Sequence, residues 1–100
     1  MGANVTGDLK GDLIVRPRGD VAFVEIDGEG VVYDPRCQKT HLLNPTAVLV
    51  WRLLDGATSI EELIMQLSEI FAADPQVVQD DVRRLVSELE REELLERVLS

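Results

Sequence analysis

The sequence is poor in the residues that most enzymatic reactions use. Cys37 and His41 are the only cysteine and histidine in 100 residues. A single cysteine excludes an internal disulfide. A catalytic cysteine needs a basic partner, and four positions apart on a strand His41 would sit about 13 Å from it. The carboxylates show no ligand spacing around His41, so no metal is expected. Cys37 then reads as a partly buried small apolar residue and His41 as a strand residue. Nothing approaches the roughly 18 consecutive apolar residues of a membrane span, and no charged-then-apolar segment opens the chain. A cytoplasmic protein without a membrane partner is expected.

Basic residues are scarce too. Ten Lys and Arg face nineteen Asp and Glu, for a net charge of −9, and most of the acid excess lies after residue 40. Such a surface repels nucleic acid unless a basic patch overrides it, and Arg83-Arg84 is a thin patch. Gly-rich phosphate loops are missing, because Gly28-Glu29-Gly30 is short and joins two strands. The acid pairs Glu61-Glu62, Asp80-Asp81 and Glu92-Glu93 are neighbours in sequence and so point about 100° apart on a helix. That suits solvated faces rather than a catalytic dyad. No enzyme activity and no cofactor are expected. Met1 to Thr6 match the myristoylation template, and Asn4-Val5-Thr6 the glycosylation sequon, but both patterns are short and common by chance.

What is present is a clear change of period along one domain. Residues 1–12, with Gly2, Gly7 and Gly11 and no apolar repeat, read as a mobile arm, leaving residues 13–100 as the domain. Leu13-Ile14-Val15 is an extended lead-in, and Arg16 to Asp20 a turn. Three strands follow: Val21 to Ile26, Val31 to Tyr33 and Lys39 to Leu43. Asp27-Gly28-Glu29-Gly30 and Asp34-Pro35-Arg36 provide the turns. Then helices begin. Asn44-Pro45 caps the first, with Ala47, Val48, Val50, Trp51 and Leu54 at helical spacing and Gly56 stopping it. Ser59 to Glu62 is a capping box for the second, whose apolar stripe runs Ile60, Leu63, Ile64, Leu67, Ile70 and Phe71. Asp74-Pro75 opens the third, with core stripe Val78, Val82, Leu85 and Leu89, flanked by Val86. The order predicts an α+β fold, winged helix-turn-helix-like: a three-stranded antiparallel sheet followed by a three-helix bundle.

With no reactive constellation, function falls to the surface. A three-stranded meander leaves two edges with unpaired backbone groups, and an edge can accept another chain as an added strand. The third strand leads straight into the bundle, so its edge can form a groove with the third helix. Asp81, Arg84 and Glu88 lie on one face of that helix. Periodicity alone favours reading them as a solvated row with local charge pairs.

The segments Leu43-Asn44-Pro45-Thr46-Ala47, Trp51, Leu54-Asp55-Gly56 and Ser59 to Leu63, then Asp81-Val82, Leu85 and Leu89, resemble the PqqD-like family over roughly residues 13–99. The resemblance implies a module that binds the leader of a ribosomally made precursor peptide. It implies presentation to a tailoring enzyme, such as a radical S-adenosylmethionine protein or a peptidase or cyclase. It places the leader as a strand beside Lys39, Thr40, His41, Leu42 and Leu43, packed on the helix face of Asp81, Val82, Arg84, Leu85 and Glu88. One departure concerns the end of the third helix, where the family has a Gly before a Leu and this chain has Glu92-Glu93-Leu94-Leu95.

Two other readings compete. A winged-helix DNA-binding protein needs a basic recognition helix, and Asp80, Asp81, Glu88 and Glu90 offset Arg83, Arg84 and Arg91. An orphan structural subunit would bind a partner enzyme and no peptide. The exposed edges leave a monomer or a weak homodimer open.

Overall fold

A computed structural model describes residues 12–98. The expected arm, with its myristoylation and glycosylation patterns, lies outside the described residues apart from Asp12. Eight elements follow in order: β1 (Val15–Pro17), β2 (Ala22–Ile26), β3 (Glu29–Asp34), β4 (Lys39–Leu43), α1 (Pro45–Leu53), α2 (Ile60–Phe71), α3 (Pro75–Arg91) and β5 (Leu95–Arg97).

The sheet β2-β3-β4 is an antiparallel meander. Its first turn is tighter than the four-residue loop expected. Asp27 and Gly28 alone carry it, at φ of 53° and 84°, and Glu29 and Gly30 already pair with β2. Two consecutive left-handed residues match the twist of a hairpin. Val32 and Leu43 are buried, so by alternation Phe23, Gly30, Val32, His41 and Leu43 face the helices. Gly30 is required there: a Cβ would lie 2.7 Å from Phe23 and 2.9 Å from Val48 of α1.

The helix starts follow the sequence signals. The Asn44 side chain accepts from the Ala47 N–H at 2.8 Å, and Pro45 fills the first helical position. Ser59 and Glu62 exchange both capping-box hydrogen bonds. Asp74 accepts from Gln76 N–H ahead of Pro75. Between α1 and α2, Asp55 accepts from the Ala57 and Thr58 N–H groups, which hold its carboxyl below the usual range. Trp51 is a core residue, 6% exposed, stacked on Phe23 with ring centroids 5.9 Å apart.

A second, two-stranded sheet was not foreseen. β1 pairs antiparallel with β5, Val15 opposite Arg97. The segment read as a lead-in and turn is therefore strand through Pro17, and the turn is confined to Gly19-Asp20. Three residues per strand carry too little alternation to be seen in sequence. Arg18 locks this clasp to the main sheet. Its guanidinium reaches Asp34 at 3.1 Å and Asp20 at 2.8 Å, and it donates to the Glu93 carbonyl. Asp34 is 1% exposed. Arg18 holds its carboxyl well below the usual range against the opposing effect of burial, helped by the Arg36 N–H. Cys37 lies in the following turn and is exposed, not partly buried as expected; its thiol donates to Asp34 at 3.6 Å.

The unusual end of α3 is also explained. Glu92 caps the helix, and Glu93 takes the left-handed conformation at φ 62°, the role a glycine ordinarily fills. Leu94 then turns inward to full burial.

Candidate peptide groove

Among the described residues β4 pairs only with β3, which leaves its other edge open. His41 and Leu43 point toward the helices, half-buried and buried, while Thr40 and Leu42 point away; Leu42 is 80% exposed. Among the described residues no hydrogen-bond partner meets the buried Nε2 of His41. At the start of β4, Lys39 pairs with Glu92 at 3.7 Å, and Arg36 of the preceding turn pairs with Glu93 at 3.1 Å. These two ion pairs tie the strand's beginning to the end of α3.

The other end opens. Thr46, three residues past β4, borders an apolar cavity of about 240 Å³ between α1, α2 and α3. Its walls include Val50, Leu67, Phe71, Val77, Val82 and Leu85, with Asp81 at the rim. Of the residues singled out on α3, Val82 is buried and Leu85 half-buried. Both therefore reach this cavity, whereas Asp81, Arg84 and Glu88 remain exposed. Arg84 pairs with Asp81 at 2.7 Å, one turn apart, so the local pairing expected from periodicity is present.

Two core assignments are corrected. Val86, not Leu85, is fully buried in the α3 stripe, and Leu85 faces the cavity. Ile70 and Phe71 close the α2 stripe in sequence yet are 60% and 44% exposed. The helix ends there, with Ala72 left-handed at φ 49°, and among the described residues nothing covers the two side chains fully. Phe71, Val77 and Val50 were missed as site residues because a cavity wall made of apolar residues has the same period as a core.

The profile of the family described as coenzyme PQQ synthesis protein D (PqqD) matches residues 29–95. The chain belongs to the PqqD family. A PqqA binding protein of Gluconobacter oxydans is 38% identical over 58 residues, spanning 58% of this chain and 60% of that protein. A bifunctional coenzyme PQQ synthesis protein C/D of Methylorubrum extorquens is 29% identical over 82 residues, or 81% of this chain and 22% of the relative. The PqqD-family chain thus spans about a fifth to three-fifths of these curated relatives. Among solved structures, TbiB1 in complex with the TbiA(beta) leader peptide superposes with a TM-score of 0.74 at 25% identity, covering 81% of this chain and 94% of that one. The PqqD truncation of Methylobacterium extorquens PqqCD, a ribosomal-peptide recognition element solved in solution, reaches 0.77 at 23% identity, over 92% and 98%. The α+β, winged helix-turn-helix-like architecture is that of these proteins. No helix among the described residues is long and apolar enough to cross a membrane.

Proposed function

We propose that this domain is a non-catalytic peptide-binding module. It takes the leader of a ribosomally made precursor as a strand added to the open edge of β4, and presents it to a tailoring enzyme. The observation that carries the reading is an edge of β4 left open among the described residues, with an apolar cavity on α3 that begins at Thr46, three residues past the strand. Backbone pairing along Lys39 to Leu43 supplies affinity that does not depend on side chains. Val82 and Leu85 offer an apolar seat for the leader's inward side chains. Asp81, Arg84 and Glu88 form the charged rim, and a partly exposed pair to Arg84 contributes about 1 kcal/mol. The leader is ordered on binding, so the affinity is expected at roughly 0.1–10 μM. The relative that binds PqqA and the neighbour that holds a leader support the substrate class.

The test is amide chemical-shift mapping during titration with PqqA and with the TbiA(beta) leader. Perturbations should centre on β4 and on the Asp81 to Glu88 face of α3. A response centred on β2, with β4 and α3 silent, means the wrong edge was chosen. Replacing Cys37 by Ala and His41 by Gln together should leave binding within about tenfold, or ~1.4 kcal/mol.

A further inference from the structure

The outward face of the main sheet is apolar where water is its only neighbour among the described residues. An antiparallel sheet with one solvated face ordinarily alternates apolar in and polar out. Here Val24, Ile26, Val31, Tyr33 and Leu42 all point outward by register. Val24 is 53% exposed, Ile26 59%, Tyr33 39% and Leu42 80%. Glu29 and Thr40 are the polar members of the face, and Asp27 stands at its hairpin tip. No helix packs on this side, and nothing in the clasp or the groove requires these side chains to be apolar.

We propose that this outer face is the docking surface for the enzyme that receives the peptide, and that the bound leader completes it. The proposal rests on the leader-binding reading. A strand added to β4 lies beside Thr40 and Leu42, and every second side chain of that strand must point outward with them. The leader thus widens the face by one strand, about 4.8 Å, at the Leu42 side. The partner meets a surface made of module and substrate together, so an empty module is a poorer ligand than a loaded one.

Size and charge select the occupant. Three strands about 4.8 Å apart, with residues rising about 3.3 Å each, give a face on the order of 250 Å². A stable complex needs roughly 800 Å² from each partner. Two copies stacked on this face would fall well short, and each brings a net charge of −9. The leader strand adds roughly 80 Å² by the same spacings, so the occupant must be a larger partner that reaches past the sheet's edges, and one that offers basic groups to Asp27 and Glu29 gains attraction where a second copy meets repulsion. The complementary enzyme surface is therefore apolar with a basic border.

The experiment uses the full chain, with Gluconobacter oxydans PqqA as the peptide and the radical S-adenosylmethionine enzyme acting on PqqA as the partner. Val24→Thr with Ile26→Thr keeps β-branched residues in β2 while removing the apolar surface. A second variant, Glu29→Lys, reverses the charge without touching the apolar residues. Leader affinity and amide dispersion report folding and groove integrity. With both unchanged, the double variant should lower enzyme association and peptide modification by about tenfold. Glu29→Lys should lower association severalfold, and the unmodified chain should associate more tightly with peptide present than absent. Modification at full rate by the double variant overturns the docking inference and leaves leader binding standing. So does sedimentation showing a dimer of the unmodified chain that the double variant dissolves, because the face then belongs to a second copy. Failure of the unmodified chain to take PqqA removes the leader-binding reading and this inference with it.

Discussion

The apolar stripes of α2 and α3 meet along one seam, yet the two ends of that seam differ. Leu63 and Val86 are fully buried, whereas Ile70, Phe71 and Val77 are between 44% and 60% exposed. The residue chemistry is the same throughout. At one end the helices are covered by the rest of the core. At the other, beside the turn that joins the two helices, Phe71 and Val77 line an open cavity. Burial separates residues that hold the fold from residues that, on the proposed reading, stay apolar for a bound leader. The ion pairs divide in the same way: Arg18–Asp34 is buried between sheet and clasp, while Arg84–Asp81 lies in solvent beside the groove.

The largest effect should come from the closed region. Trp51→Ala removes a stacked core side chain and should cost about 3–5 kcal/mol of unfolding free energy in denaturant titration, a large share of the total for a domain of this size. Native-like stability in that variant would show that the buried region does not carry the fold. Asp34 sharpens the contrast among ion pairs. Its folded pKa is depressed by Arg18, so its contribution is complete above the unfolded carboxylate value of about 3.9 and is lost as pH falls through the lower folded value. Thermal melts should show a steep acid decline in the parent and a shallower one in Asp34→Asn, which should also melt lower at neutral pH.

The open region should respond in binding instead. Leu85→Asp places a charge in an apolar contact and should weaken leader binding by about 2 kcal/mol, or roughly 30-fold, as read by calorimetry. Because Leu85 also packs on the core, the melt should fall as well, and Leu85→Ala, which adds no charge, separates lost binding from lost stability. Arg84→Ala should cost about 1 kcal/mol of affinity or less, since the side chain is exposed and already paired. A reversal of that order would mean that charge rather than apolar burial selects the leader. The smallest effect is a gain: Glu93→Gly relieves a left-handed residue, worth about 0.5–1 kcal/mol, but gives up the exposed ion pair to Arg36, so stability should rise by only about 0.3 kcal/mol.

The same division governs what could be read from the sequence. Strand, turn and cap signals are local, so β4, the Asn44 and Asp74 caps and the Ser59–Glu62 box were legible residue by residue. Burial at the ends of stripes is not local. Phe71 and Leu85 carry the right period for a core, and only the way α1, α2 and α3 pack together decides that they face a cavity. The β1–β5 clasp was illegible for a different reason. Its strands are three residues long and nearly eighty positions apart, and Glu93 turns the chain without the glycine that would have marked the spot.

That clasp has an architectural consequence. Val15 and Arg97 lie opposite each other, about 5 Å apart as strand neighbours, and Ile14 bridges to Ser59 at the start of α2, the far end of that helix from the cavity. The described part of the fold is therefore entered and left through one small doorway. Neighbouring entry and exit strands suit insertion into a surface loop of a host protein as readily as attachment at either end.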